Sequence, residues 1–302
     1  MSMPESSRAV LVTGASRGLG RAITLHAAAA GFRVWAGVRD ETAAGELVST
    51  AQNRGFDLRP VILDVTNKDS IKKACDEIAR INGTLYGVVN NAGVTGRSFF
   101  EDYPEEHIRK VFEVNLFGPM NVIRSVLPLL RANGGGRIVN ISSIGGRIGS
   151  NSVAPYAASK FGLEGFSESL NLELRPFGIY VSVIAPGMIR TDIWDEERRI
   201  LPEARNPRSP YYEYFWRMEH QVERLVSSST LTPEDVARQV VHVLTTARPR
   251  PRYVVGWRAA LVVFLRKHLP DRVFESVYFG GIHRIMDRSR TAEPGLPQRQ
   301  EK

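Results

Sequence analysis

The 302-residue sequence holds a single cysteine, Cys75. No internal disulfide can form, so a disulfide-stapled secreted scaffold is excluded, and a reducing, cytoplasmic compartment is expected. Long hydrophobic runs are also lacking. The most apolar stretch, Ala259 to Leu265, covers seven residues between Arg258 and Arg266, against the ~20 that a spanning helix needs. The first apolar run, Ala9 to Val12, stops at Thr13-Gly14, short of the roughly 7–15 residues of a secretory leader, so none is expected. The six histidines are scattered without ligand spacing, and no metal is expected. A general basic excess is missing too, despite a net charge of +8. Residues 1–247 carry 28 basic and 27 acidic side chains, whereas residues 248–302 carry 12 and 5. The excess belongs to the C-terminal stretch, and with no nucleic-acid motif beside it a nucleic-acid partner is not expected.

What remains is an ordinary globular composition, 43% hydrophobic and 24% charged, with ample apolar surface for a core. Short β-branched runs alternate with helical patterns. Strands are expected over 9–13, 33–38, 59–64, 85–90, 136–142, 180–185 and 252–255. Helices are expected over 17–30, 42–54, 69–80, 105–130 (broken at Gly118-Pro119) and 156–174. Continuous apolar strands alternating with helices predict a parallel sheet covered on both faces. Residues 191–231, charged and proline-containing, read as an insertion before the seventh strand. The domain reading is a catalytic unit over 1–256, a helical extension over 257–290 and a polar tail over 291–302.

Gly14, Ser16, Arg17, Gly18, Leu19 and Gly20 lie between the first strand and the first helix. Glycines there let the backbone turn tightly and let a pyrophosphate approach, while the helix start offers free N–H groups and a positive dipole end. The spacing is Gly-x-x-x-Gly-x-Gly rather than Gly-x-Gly-x-x-Gly. An acid at the end of the second strand would bind a ribose 2′-hydroxyl, whereas an arginine accommodates a 2′-phosphate. Here Arg39 follows the strand, Arg17 is a second nearby cation, and Asp40 is expected to point away. NADP(H) is therefore expected over NAD(H), the competing reading being that Arg39 pairs with Asp40 or Glu41.

Tyr156-Ala-Ala-Ser-Lys160 opens a helix. Residues four apart share a helix face, so a phenol and an ammonium can serve one site. Tyrosine titrates near 10, and a fixed cation beside it lowers that value. Ser143 lies 13 residues upstream, Asn115 sits in the long preceding helix, and Asn90-Asn91-Ala92-Gly93 ends the fourth strand.

In order and spacing, Thr13 to Gly20, Asp64-Val65, Asn90 to Gly93, Asn115, Ser143, Tyr156/Lys160 and Pro186-Gly187-x-x-x-Thr191 resemble the short-chain dehydrogenase/reductase family over roughly residues 8–260. The resemblance implies an α/β doubly wound Rossmann fold with a seven-stranded parallel sheet, helices on both faces, a lid insertion and a C-terminal helical extension. It implies that Tyr156 exchanges a proton with the substrate oxygen and that Lys160 lowers the tyrosine's pKa and bonds the nicotinamide ribose. Ser143 would polarise the carbonyl, and Asn115 would support a proton-relay water. Asp64 and Val65 would contact adenine; Asn91, Ala92 and Gly93 the adenosine side; Pro186, Gly187, Ile189 and Thr191 the carboxamide. Homodimers or homotetramers are usual in the family.

The pattern Val34 to Asp40 and the ending Pro251 to Gly256 resemble the steroid and retinoid (17β-hydroxysteroid/retinol dehydrogenase-like) branch, which implies a small apolar carbonyl or alcohol substrate. Trp194, Tyr211, Tyr212, Phe215 and Trp216 would roof that substrate, or else pack between helices. Residues 257–279 form a basic amphipathic stretch that can lie peripherally on an anionic membrane, or else pack on the lid or a second subunit. A 3-oxoacyl thioester reductase and a non-catalytic NADP-sensing protein are the alternatives. A sensor would be expected to lose Tyr156 or Lys160, and both are present.

Overall fold

The computed structural model describes residues 8–189 and 200–280. Seven parallel strands form one sheet: β1 (Ala9–Thr13), β2 (Arg33–Val38), β3 (Leu58–Ile62), β4 (Gly87–Asn90), β5 (Gly136–Ile141), β6 (Ile179–Pro186) and β7 (Arg252–Val255), in the spatial order 3-2-1-4-5-6-7. The order reverses between β1 and β4, and ligands of such sheets bind at the strand carboxyl ends beside that reversal. The central strands β1, β4 and β5 are buried along their full length, which is why they read as unbroken apolar runs. β3, at one edge, alternates with solvent and carries Pro60, tolerated there because an edge strand can spare a donor.

Helices α1 (Gly18–Ala29) and α2 (Glu41–Gln52) and, later in the chain, α8 (Pro233–Thr245) flank one face. There Ile23, Leu47, Val236 and Val240 share a core cluster with Val10, Val12 and Val34. Helices α3 (Lys68–Asn82), α5 (Gly118–Ala132) and α6 (Ala154–Leu174) cover the other face, where Ile71, Ile78, Val122, Val126 and Leu170 pack on Leu11, Val88 and Ile138.

The expected 105–130 helix is differently built. α4 (Glu105–Phe112) passes into a π turn at Glu113–Phe117 and only then into α5. The Gly118 amide bonds the Glu113 carbonyl five residues back, so the register slips at Asn115, ahead of the Gly-Pro pair. Pro119 starts α5 without cost because first-turn amides have no helical partner. The third strand ends at Ile62 rather than 64. α8 escaped the sequence reading, although Thr232 and Asp235 form a reciprocal capping box at its start. Within the insertion lies α7 (Tyr212–Ser227). After β7 come α9 (Trp257–His268), a short α10 (Asp271–Phe274) and a second π turn at Glu275–Phe279. The tail expected over 291–302 lies outside the described residues. Among the described residues no helix is long and apolar enough to cross a membrane, and no group of His, Cys, Asp and Glu could hold a metal ion.

Candidate active site

The first βα turn is built to lie against backbone. A Cβ on Gly20 would fall 1.9 Å from the Gly14 carbonyl oxygen, and one on Gly14 would fall 2.9 Å from Ala92 Cα. Gly14 and Gly18 have φ of +65° and +51°, which favour glycine. The Asn90 to Gly93 segment is stapled to this turn. Thr13 Oγ1 accepts from the Asn91 and Ala92 amides at 3.1 Å each, and Asn91 Nδ2 donates to the Thr13 and Gly14 carbonyls at 3.0 and 3.2 Å. α1 has no side-chain cap and no acid in its first turn. Its leading amides therefore keep the positive end of the helix dipole available to an anion.

At the end of β2, the Asp40 carboxylate accepts from the Ala43 amide at 2.8 Å and caps α2. Arg39 instead lines the cavity beside Asp64. The Asp64 carboxylate accepts from the Thr66 amide at 2.9 Å and its hydroxyl at 2.7 Å. The amide bond, more than nearby Arg39, holds that carboxyl below its usual range. Val65 is buried beside Gly118.

The second half of the site is carried by β5 and α6. Ser143 follows β5 and caps a short turn (Ile144–Gly146), its Oγ accepting from the Gly145 amide at 3.1 Å. Pro155 sits in the first turn of α6, where its fixed φ suits a helix start, and Tyr156 follows. Ser143 and Tyr156 lie side by side, a Cβ on Gly145 falling 3.5 Å from Ser143 Oγ and 3.4 Å from Tyr156 Cε1, whereas Ser142 Oγ is buried with no partner among the described residues. Lys160, one turn along α6, is 5% exposed and donates to the Ile141 carbonyl at 2.9 Å. Burial draws the Lys160 ammonium down to about 8. Burial also raises the Tyr156 hydroxyl, against the opposing pull of neighbouring Ser143. The ammonium is turned to Ile141 and stands 5.8 Å from the tyrosine ring centroid.

One cavity of about 530 Å³ joins both halves. It is lined by Gly14, Ser16 to Gly20, Arg39, Asp64, Val65, Asn91 to Gly93, Ser143, Tyr156, Lys160, Pro186, Gly187 and Ile189. Lys110, Val114, Val94 and Thr95 line it as well and were not singled out from the sequence. Lys110 and Val114 share a four-residue spacing at the end of α4, a signal the catalytic pattern overshadowed.

Asn115 lies beneath the cavity rather than on its wall. Its Oδ1 accepts from the Val94 amide at 2.8 Å, and its Nδ2 donates to the Val94 carbonyl at 2.9 Å and to Ser159 Oγ at 3.2 Å. Its amide is therefore a clamp between the loop after β4 and α6. Four of the five aromatics expected as a roof, or else as helix packing, lie in the described residues. Phe215 is buried in a satellite core with Ile200 and Ala204, packed by Phe99 and Trp216. Tyr211 stacks on Phe99 at 4.9 Å and donates to Glu101 at 2.8 Å, while Tyr212 meets Trp216 edge-on. None of the four lines the cavity, so they hold α7 on the body by apolar packing. Thr191 and Trp194 lie outside the described residues.

Residues 8–201 match a family model described as short chain dehydrogenase. Retinol dehydrogenase 5 of Mus musculus is 34% identical over 292 residues, covering 91% of this chain and 89% of its own length. The mitochondrial D-beta-hydroxybutyrate dehydrogenase of Rattus norvegicus is 34% identical over 298 residues, covering 90% and 84%. The solved structure of a short chain dehydrogenase/reductase from Burkholderia phymatum in complex with NAD is 26% identical, with a TM-score of 0.76 over 99% of this chain and 100% of that one.

Proposed function

The chain belongs to the short chain dehydrogenase family, and on that premise we propose that it is an NADP(H)-dependent oxidoreductase interconverting a ketone or aldehyde with the corresponding alcohol on an apolar, steroid-, retinoid- or lipid-like substrate. One observation carries the reading: the glycine turn and the Ser143–Tyr156–Lys160 group open into the same cavity. The residues present fit a dinucleotide. Gly14 and Gly20 leave a cradle that a Cβ would fill, and the uncapped start of α1 meets a pyrophosphate with free amides. Arg17 and Arg39 supply the cations a 2′-phosphate needs, while Asp40 is occupied as a helix cap.

When bound, the nicotinamide supplies or accepts the hydride. The chain supplies the rest. In the reduction direction the Ser143 hydroxyl donates to the substrate carbonyl oxygen and fixes it beside Tyr156. Tyr156 gives its phenolic proton to that oxygen as the alcohol forms. Lys160, carrying its positive charge in a dry pocket, stabilises the phenolate left behind. Oxidation runs the same path backwards.

Similarity to an enzyme named for retinol supports an apolar substrate, and the name of the hydroxybutyrate relative marks a small hydroxy acid as the competitor. Phe117 in the π turn and Phe161 and Leu172 on α6 are exposed, which supports a homodimer or homotetramer. Trp257, Leu261 and Phe264 stand exposed on α9 beside Arg258, Arg266 and Lys267, which supports peripheral contact of a cytoplasmic protein with an anionic membrane.

The test is a panel of ketones, steroids, retinal and 3-oxoacyl thioesters with NADPH or NADH, read at 340 nm beside Tyr156→Phe. Turnover of an apolar carbonyl is expected, lost in Tyr156→Phe with NADPH affinity retained. Full activity of that variant overturns the reading.

A further inference from the structure

α6 carries a third charged residue that the catalytic pattern does not use. Glu164 lies one helical turn beyond Lys160, on the same face, and is as buried, at 5% exposed. Its Oε2 accepts from Arg252 Nε at 3.0 Å and lies 3.4 Å from Arg147 Nη1. Arg147 closes the turn that begins at Ser143, and Arg252 opens β7 and also pairs with Glu168 on the next turn of α6. Glu164 Oε1 is buried with no hydrogen-bond partner among the described residues. Exchanging such a carboxylate and its arginine partners together for apolar residues is often near neutral, whereas removing it alone leaves the arginines without their partner.

The Ser143 turn is pressed directly onto α6: a Cβ on Gly146 would fall 3.0 Å from the Lys160 carbonyl oxygen. Glu164 therefore touches, through Arg147, the loop that sets Ser143, and sits on the helix that sets Tyr156 and Lys160. We propose that Glu164 is the positioning residue of this site, a buried counter-charge one helical turn from Lys160 that bolts the Ser143 turn and β7 to the catalytic helix.

The charges around Lys160 agree with this role. On α6 they are Tyr156, held neutral by burial, and Glu164. From β5 comes the Ile141 carbonyl and from the π turn the neutral Asn115, while Arg147 of the Ser143 turn and Arg252 of β7 reach Glu164 itself. Arg17, Arg39, Asp64 and Lys110 line the remainder of the cavity. Burial pulls the Lys160 ammonium down, and Glu164 is the charge that opposes it.

The inference rests on the proposed site, so its test uses a readout that needs no substrate. Lysine labelled with ¹³C at Cε is incorporated, and the Lys160 signal is assigned by its loss in Lys160→Met. Its titration midpoint is then followed in wild type, Glu164→Gln and Glu164→Met. Removing an opposite charge one helical turn away lowers an ammonium's midpoint, so both variants are expected to titrate lower than wild type, by roughly one unit. Their kcat is expected to fall at pH 8 and recover towards pH 6, with thermal stability lowered because Arg147 and Arg252 lose their shared partner. A midpoint in Glu164→Gln that coincides with wild type overturns the proposal, as does a kcat lowered equally at every pH. Failure of the proposed function is separate: it appears as undiminished turnover in Tyr156→Phe, whatever the lysine titration shows.

Discussion

Arg97 and Glu219 form an ion pair at 2.8 Å with side chains only 7% and 1% exposed. It joins α7 to the loop that follows β4, and Arg97 Nη2 also donates to Ser152 Oγ at 3.0 Å, four residues before Tyr156. One guanidinium thus pins three segments around the catalytic helix. Ser152 is held at φ +56°, in the left-handed region a serine rarely occupies, and its carbonyl accepts from the Ser98 amide at 3.1 Å. Burial draws the Arg97 guanidinium down to about 10, a sign of how fully the pair is desolvated.

Breaking such a pair leaves a buried charge alone, at about 3–5 kcal/mol, whereas exchanging both partners for apolar residues is often near neutral. Arg97→Met is therefore expected to lose several kcal/mol in urea unfolding, and Arg97→Met/Glu219→Met to regain most of it. Equal losses in the single and double variants would show that the pair is not what Arg97 supplies.

The glycine turn gives a prediction with an internal control. A Cβ on Gly20 would strike backbone at 1.9 Å, so Gly20→Ala should displace the turn and weaken NADPH binding severely, by fluorescence titration. Gly45 lies within α2 with nothing within 4 Å of where its Cβ would be. Alanine is the better helix former by roughly 1 kcal/mol, so Gly45→Ala should raise the melting temperature and leave NADPH affinity unchanged.

These positions mark what the sequence made legible. Strands buried on both faces announce themselves as apolar runs, and the motif residues that bind a cofactor sit next to one another or at helical spacing. The π turn at Asn115 leaves no clear pattern, because one extra residue in a single turn shifts the apolar face over too short a stretch to stand out. Arg97 and Glu219 stand 122 residues apart, and nothing local marks either as buried. The aromatics at 211–216 were legible as an apolar face but not as to what it covers. Phe99 and Ile200, which they meet, are brought there only by the folded chain. α8 was missed although Thr232-Pro-Glu-Asp235 is a helix-start signal.

Cofactor choice should turn on Arg39. With Asp40 committed to capping α2, no carboxylate at the end of β2 is free to take a ribose 2′-hydroxyl. A charge-assisted bond to a 2′-phosphate of about 1.5–3 kcal/mol corresponds to roughly 10–100-fold in affinity. Arg39→Gln is expected to lose that much in kcat/KM for NADPH and little for NADH. A wild-type preference for NADH, or equal loss with both cofactors, would refute the assignment.

The buried lysine also predicts how stability depends on pH. The folded-state value for Lys160 is near 8, against 10.5 for the ordinary side chain. Between those values the folded chain has released the proton while the unfolded chain keeps it. The unfolded state binds more protons there, so stability rises with pH in that window and is lost as pH falls through about 8. The limiting slope is about 1.4 kcal/mol per pH unit. Lys160→Met removes the titration, so urea unfolding of wild type and variant at pH 7.5 and 9.5 isolates it. Wild type is expected to gain roughly 2 kcal/mol on the variant across that interval, and a constant difference would mean that Lys160 stays an ammonium in the folded protein up to pH 9.5.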